Sequence, residues 1–116
     1  MDLNHLHLAV DDLAASKAFY QRYFGFHATV VHGRIQFLEN SAGFQLALDP
    51  AFQPEALPKW FHFGSRLASV ADVEALHSKM AAEPERVVRA LETHPGHVFF
   101  HCQDPDGYRI EVYWEE

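Results

Sequence analysis

The sequence has little of what several protein classes require. Its one cysteine in 116 residues excludes a disulfide framework and any cysteine-rich zinc site. Basic residues are few, with 9 Lys+Arg against 16 Asp+Glu, so nucleic acid is not an expected partner. No apolar run approaches the roughly 18 residues of a membrane span, and the N-terminal residues do not resemble a signal peptide. We therefore expect a cytoplasmic protein that binds neither nucleic acid nor membranes.

The composition instead indicates a folded domain with an unusual histidine content. A chain of 116 residues fits one compact domain, and a hydrophobic fraction of 48% with 14% aromatic residues is enough for a core and argues against disorder. Nine residues are histidine, the side chain most used for metal binding and for proton transfer near neutral pH. The histidines are therefore the feature that a functional interpretation has to explain.

The chain divides into two similar halves. Segment 50–58 contains three prolines and is the predicted linker between a first module of about 1–49 and a second of about 59–116, within a single domain of residues 1–116. Each half is predicted to contain a strand, a helix and further strands, which indicates a weak internal repeat. Apolar residues at helical spacing predict the helices over about 12–24 and 70–82.

Five segments alternate between apolar and polar residues, which predicts strands with two different faces. These segments are residues 3–10, 44–48, 60–67, 97–103 and 108–114. Less regular strands are predicted near 28–31, 34–39 and 86–91. The apolar faces need cover, which the two helices can supply, and the other faces carry His, Glu, Gln, Tyr or Arg. Those polar faces either line a groove or belong to an ordinary sheet with one solvated side.

Three polar-face residues form a candidate metal-binding set. His5, His62 and Glu111 each lie within a predicted strand. Two neutral imidazoles and one carboxylate leave coordination positions open, which suits Fe(II) and also Mn, Ni, Co or Zn. Spacing alone does not bring the three strands together, and a single histidine on a strand is more often structural. Both interpretations therefore stay open on these residues alone.

Two longer motifs resemble a known family. The stretch NHLHLAVDDLAASKAFYQRYFGF and the stretch DPDGYRIEVYW resemble the signatures of the vicinal oxygen chelate superfamily, which includes glyoxalases, bleomycin resistance proteins and extradiol dioxygenases. The first signature carries a ligand histidine, matched by His5. The second is a D-P-[DE]-G turn before a strand with a ligand glutamate, matched by Glu111. The stretch WFHF places His62 where that family has its second ligand histidine.

The resemblance implies a fold and a cofactor. The expected fold is α+β, with paired βαβββ modules that form a half-barrel mixed sheet and helices on its outer face. One divalent metal per site is expected on His5, His62 and Glu111, with Fe²⁺ preferred over Zn²⁺, Mn²⁺, Ni²⁺ or Co²⁺. A homodimer is also expected, in which the modules pair within one chain or are exchanged between subunits.

The resemblance also implies a class of function. We expect a metal-dependent enzyme whose small-molecule substrate chelates the metal through two neighbouring oxygens, dioxygenase-like rather than a glyoxalase-like lyase or isomerase. Gln45 stands near the position where glyoxalase I enzymes use a glutamate, which is a departure from that pattern. The expected proton carriers are His101, His7 and Tyr113. The expected substrate contacts are Gln45, Trp60, Phe99 and His97.

Two other functions remain as alternatives. A non-catalytic small-molecule binding protein, similar to the bleomycin resistance proteins that sequester their ligand, would use an aromatic cleft. A metal-stabilised structural domain would hold a closed site with four or more protein ligands. Cys102 falls on an apolar strand face and is expected to be an inert core thiol rather than a nucleophile.

Overall fold

A computed structural model describes residues 1–116 as two compact units, Met1–Ala56 and Leu57–Glu116. Each unit contains a strand, a helix and then three more strands. The predicted α+β class and the βαβββ modules are thus confirmed. No helix in either unit has both the length and the apolar character needed to cross a membrane.

The first unit is built on a four-stranded mixed sheet. Its elements are β1 (His5–Ala9), α1 (Leu13–Phe24), β2 (His27–His32), β3 (Ile35–Glu39) and β4 (Gln45–Asp49). The strand order is β1-β4-β3-β2. The first strand pairs in parallel with the last one, while the other neighbours are antiparallel. Side chains of β1 and β4 that are paired in register therefore share one face.

The second unit repeats this arrangement. Its elements are β5 (Phe63–Arg66), α2 (Val70–Ala81), β6 (Val87–His94), β7 (His97–Gln103) and β8 (Arg109–Glu115). The strand order is β5-β8-β7-β6, again with a parallel pair between the first and last strands of the unit. The long antiparallel pair of β7 and β8 forms the centre of this sheet.

Side-chain caps define where the helices begin. The Asp12 carboxylate accepts a hydrogen bond from the Ala15 amide at 3.1 Å, and the Ser69 hydroxyl accepts one from the Asp72 amide at 3.1 Å. Each cap satisfies an amide that has no partner within the first turn of its helix. The first helix ends at Gly25, whose φ of 67° is the left-handed conformation that glycine adopts without strain.

The helices cover the apolar faces of the sheets, as the alternation predicts. In the first unit the buried residues of α1 and the sheet are Val10, Phe19, Tyr20, Leu38, Leu46 and Leu48, among others. In the second unit they include Val73, Met80, Val98, Phe100, Ile110 and Val112. Strand alternation then directs the histidines and carboxylates to the opposite face of each sheet. The core therefore fixes which strand residues are available for chemistry.

The strand predicted over 60–67 is shorter than expected. In the structure β5 contains only residues 63–66, and His62 immediately precedes it. The Phe61 amide donates to the Pro58 carbonyl at 2.9 Å, so the backbone at this point forms a turn instead of pairing with β8. His62 is consequently held by a turn and not by the sheet ladder.

Candidate metal centre

Two imidazoles and a carboxylate meet on the polar face of the second unit. Register pairs Glu111 on β8 with His101 on β7, and on its other side with Gly64 on β5. Gly64 has no side chain, and the Tyr113 ring lies against it, since a Cβ at this position would be 3.4 Å from that ring. His62 lies two residues before Gly64 in the chain. His62 Nε2 lies 4.0 Å from Glu111 Oε2, and His101 Nε2 lies 3.2 Å from the same oxygen.

The His62 ring is oriented by a backbone carbonyl. Its Nδ1 lies 3.1 Å from the Trp60 carbonyl oxygen, which can only accept, so Nδ1 carries the proton. With this proton on Nδ1, Nε2 is the ring nitrogen that faces Glu111. A hydrogen bond from the second ring nitrogen to a carbonyl is the usual support of a metal-binding histidine.

The His101 side chain is more buried than that of His62. The Glu111 carboxylate can only accept a hydrogen bond, so His101 Nε2 carries the proton that it donates to Oε2. His101 Nδ1 is buried and has no hydrogen-bond partner. Burial lowers the pKa of His101, and the hydrogen bond to Glu111 only partly opposes this effect. His101 is therefore a neutral imidazole that holds one proton against the Glu111 carboxylate.

Within this cluster a divalent cation can be held by His62 Nε2 and a Glu111 oxygen, while His101 Nε2 keeps its proton beside them. One ligand atom from each of His62, His101 and Glu111 lies within 4.8 Å of the other two. Imidazole nitrogen with carboxylate oxygen is the donor set that suits Fe(II), Zn, Mn, Ni and Co. Since His62 and Glu111 are both partly exposed, an ion can reach them from solvent.

Other predicted site residues continue along the same face of the second unit. Phe99 pairs with Tyr113 across β7 and β8, and the His97 ring stacks on Phe99 with centroids 4.8 Å apart. Arg89 covers Phe99 at 4.8 Å from the ring centroid. Because Phe99 is thus buried, it packs against its neighbours instead of presenting a free face. Trp60, also in the second unit, differs from Phe99 because 76% of its surface is exposed.

The remaining predicted site residues lie in the first unit. His5 and Gln45 are paired across β1 and β4, and His5 Nδ1 donates to the Asn4 side-chain oxygen at 2.8 Å, which leaves His5 Nε2 free to accept. His7, two residues further on the same face, bonds the carboxylate of Asp49 at 2.8 Å. The role of Asp49 was missed in the sequence. The alternation Gln45-Ala47-Asp49 was the signal that could have extended the polar face to it.

Cys102 lies apart from this chemistry. It is fully buried, and burial raises the pKa of its thiol to about 12. The thiolate that a nucleophile requires is thus disfavoured, in agreement with the expectation of a core thiol.

Comparison with known proteins places the chain in a family. The model of the Glyoxalase/Bleomycin resistance protein/Dioxygenase superfamily matches residues 2–112. The chain therefore belongs to this superfamily, as the two sequence motifs predict. No curated protein matches it significantly.

Solved structures with the same fold carry several different names. A possible glyoxalase from Bacillus cereus is 27% identical with a TM-score of 0.78, and the match covers 97% of each chain. A lactoylglutathione lyase from Agrobacterium tumefaciens is 23% identical with a TM-score of 0.74, covering 97% of this chain and 92% of the other. The fosfomycin resistance protein FosX from Listeria monocytogenes is 18% identical with a TM-score of 0.83, covering 100% and 94%. Such a fold carries many chemistries, so function has to be argued from the site.

Proposed function

We propose that the protein is a metal-dependent enzyme whose small substrate chelates the metal through two neighbouring oxygens, with dioxygenase chemistry preferred. The observation that carries this proposal is the cluster of His62, His101 and Glu111, in which two proposed ligands lie beside one proposed proton carrier. Two of these residues, His62 and Glu111, match the family motif, and the structure supports their pairing by the 4.0 Å approach of Nε2 to Oε2.

The proposed ligands are His62, Glu111 and His5. His62 and His5 each have Nδ1 engaged by an oxygen, so each offers Nε2 as the ligand atom. His5 is supplied either by the same chain or by a second copy in a homodimer. When bound, the divalent metal, Fe²⁺ in the preferred case, supplies Lewis-acid polarisation of the chelated oxygens and a centre for O2 chemistry.

The chain's own residues supply proton transfer and orientation. His101 Nε2 holds a proton beside Glu111 Oε2, where it steadies that carboxylate and can pass a proton to a substrate oxygen. Tyr113 lies two residues beyond Glu111 on the same face of β8 and is the next proton carrier in line. Gln45, paired with His5, offers an amide that orients the substrate in the first unit.

Anaerobic reconstitution followed by oxygen uptake tests this function. Protein purified without an affinity tag is loaded with Fe(II) and mixed with catechol, 4-methylcatechol and 3,4-dihydroxyphenylacetate under air. Oxygen uptake that requires the protein and disappears in Glu111→Gln supports the dioxygenase assignment. A protein that binds one metal but consumes no oxygen with any of these catechols overturns the dioxygenase part and leaves lyase or isomerase chemistry to be assayed.

A second candidate is a binding protein without chemistry, and the exposure of Trp60 favours it. The Trp60 indole is largely uncovered while its carbonyl holds His62, so a planar ligand stacked there lies next to the metal centre. Catechol titrations followed by Trp fluorescence in wild type and Trp60→Phe test this function. Binding that is unaffected by chelator and by His62→Ala favours sequestration, whereas turnover of the bound catechol excludes it.

A further inference from the structure

The buried carboxylate of Asp49, at the end of β4, accepts hydrogen bonds from two side chains of the first unit, His7 and Arg34. Asp49 Oδ2 accepts from His7 Nε2 at 2.8 Å. Asp49 Oδ1 accepts from Arg34 Nε at 3.3 Å and from the Ala51 amide at 2.9 Å. We refer to His7, Arg34 and Asp49 as the Asp49 cluster.

The fold explains why these residues meet. Parallel register pairs His7 with Ala47 and Ala9 with Asp49, so the side chains of His7 and Asp49 share the polar face. Arg34 lies in the two-residue turn between β2 and β3, where the register closes with the pair of His32 and Ile35. From this turn its side chain reaches Asp49 at the end of the neighbouring strand.

The carboxylate of the Asp49 cluster is buried, and the two side chains bound to it are partly exposed to solvent. The Asp49 side chain is only 2% exposed, whereas the side chains of His7 and Arg34 are 50% and 59% exposed. Both Asp49 oxygens are occupied by the three donors described above. The terminal nitrogens of Arg34 and the Nδ1 atom of His7 have no protein partner. The buried carboxylate therefore holds two side chains by one nitrogen each and leaves their other nitrogens facing solvent.

Arg34 differs from two other arginines of the chain in this respect. Arg66 and Arg86 each donate a terminal nitrogen to a backbone carbonyl, at 2.7 and 2.8 Å. Arg34 is instead held through Nε, so the planar fork of its two terminal nitrogens is oriented and unused. Such a fork matches the two oxygens of a carboxylate or phosphate group, and a lysine offers no equivalent geometry.

We propose that the Asp49 cluster is an oxyanion-binding subsite. The terminal nitrogens of Arg34 bind two oxygens of a carboxylate or phosphate group, and His7 provides a second contact beside them. Asp49 is a positioning residue, since it contacts only the two binding side chains. An ordinary surface ion pair contributes little stability and needs no fixed orientation. Here each of the two side chains donates one hydrogen bond to a buried carboxylate, which the Ala51 amide holds in place.

The subsite also specifies a class of substrate, and this part rests on the proposed function. His5 and His7 lie two residues apart on the same face of β1, which corresponds to about 7 Å along a strand. Asp49, which holds Arg34, is in register with Ala9, four residues beyond His5, or about 13 Å along a strand. A substrate that spans this length can chelate a metal on His5 and place an anionic group on Arg34. The account predicts a preference for substrates that carry a carboxylate or phosphate in addition to the chelating oxygens.

Anion titrations followed by NMR test the subsite directly. The arginine Nε–Hε signals of the full-length protein are recorded at constant ionic strength while sodium acetate or sodium phosphate replaces sodium chloride. The Arg34 signal is assigned by its disappearance in Arg34→Lys. We expect this signal to shift and saturate with at least one of the two anions. Saturation with acetate only identifies a carboxylate subsite, and saturation with phosphate only identifies a phosphate subsite.

Matched variants distinguish anion binding by the guanidinium fork of Arg34 from attraction to its positive charge alone. Because Arg34→Lys keeps the charge but removes the fork, we expect anion affinity, followed through the His7 ring signals, to fall about tenfold or more. Arg22→Gln removes one positive charge from α1, where Arg22 lies over the Tyr23 ring, and is expected to leave the affinity unchanged. A linear shift without saturation in wild type, or equal affinity in Arg34→Lys, overturns the proposal.

Failure of the oxyanion-subsite proposal can be distinguished from failure of the metal-binding proposal. The titrations are made on protein without added metal, and metal content is measured separately on wild type and Arg34→Lys. Saturable anion binding by a protein that takes up no metal keeps the subsite and rejects the enzyme assignment. Full metal uptake with no anion binding rejects the subsite alone.

Discussion

His101 Nε2 lies 3.2 Å from Glu111 Oε2, across directly paired positions of β7 and β8. The contact joins a buried neutral imidazole to the carboxylate that the family motif assigns as a metal ligand. If His101 acts by proton transfer, then its removal should leave metal binding intact. We predict that His101→Gln binds metal as wild type does, while turnover falls about 10²- to 10⁴-fold.

The measurement for His101→Gln is oxygen uptake with the most active catechol, made beside metal analysis of the same sample. Phe100→Leu, a change on the opposite face of the same strand, serves as a control for disturbance of β7. Loss of metal from His101→Gln would show that His101 is a ligand and not a proton carrier.

Asp49 is predicted to contribute stability that depends on pH. The Ala51 amide, assisted by His7 and Arg34 and opposed by burial, lowers the pKa of Asp49 from its ordinary value of 3.8. A lowered folded-state pKa means that this stability is present above about pH 4 and is lost as the pH falls through the folded-state pKa. Asp49→Asn should therefore be less stable than wild type at pH 7.

The difference in the free energy of unfolding between wild type and Asp49→Asn should become smaller below about pH 4, because the wild-type carboxyl group takes up a proton there. Urea unfolding at pH 7 and at pH 3 measures this difference, and Asp2→Asn at the exposed N-terminus is the matched control. An equal gap at both pH values would contradict the assigned role of Asp49.

The turn before β8 is predicted to hold Glu111 in register. Asp104 is buried, and its Oδ1 accepts from the amides of Asp106 and Tyr108 at 2.9 and 3.0 Å. Because Asp104→Ala leaves these amides without that acceptor, we expect it to lower the free energy of unfolding by about 1–3 kcal/mol. Asp104→Asn keeps an acceptor oxygen and should cost less; an equal cost for the two variants would argue against the hydrogen bonds.

Cys102 is predicted to be unreactive in the folded protein. With the pKa of its thiol raised to about 12, its thiolate fraction at pH 8 is about a thousandfold below that of an ordinary cysteine with a pKa near 8.5. Iodoacetamide labelling followed by mass spectrometry should be at least that much slower in native protein than in urea. Rapid native labelling would show that the strand opens or that the thiol has a chemical role.

Local signals in the sequence predict the strands, helices and buried faces, whereas the pairing into βαβββ modules was implied by the family resemblance. Alternation around Leu46 and Leu48 and around Phe100 and Cys102 predicts the buried faces, and Asp12 and Ser69 are the helix caps. The boundary at His62 was not predictable in this way, because the turn that holds it depends on a backbone hydrogen bond between Phe61 and Pro58.

The candidate site was only partly readable from the sequence. The motif around Glu111 and the WFHF stretch pointed to the pair that the structure brings together. The partnership of His101 with Glu111 needed the register of two strands, which no spacing in the chain reveals. Arg34 and Asp49 were overlooked because one lies in a hairpin turn and the other at the boundary of the linker. Their contact follows from strand order and not from sequence distance.

Metal content after anaerobic Fe(II) reconstitution tests the central claim most directly. Mass spectrometry on untagged wild type, His5→Ala and His101→Gln gives the number of metal equivalents per chain. The account predicts about one equivalent in wild type and His101→Gln and less than about a tenth in His5→Ala. Full metal content in His5→Ala with loss in His101→Gln would contradict it, because the ion would then be held by His62, His101 and Glu111 of the second unit alone.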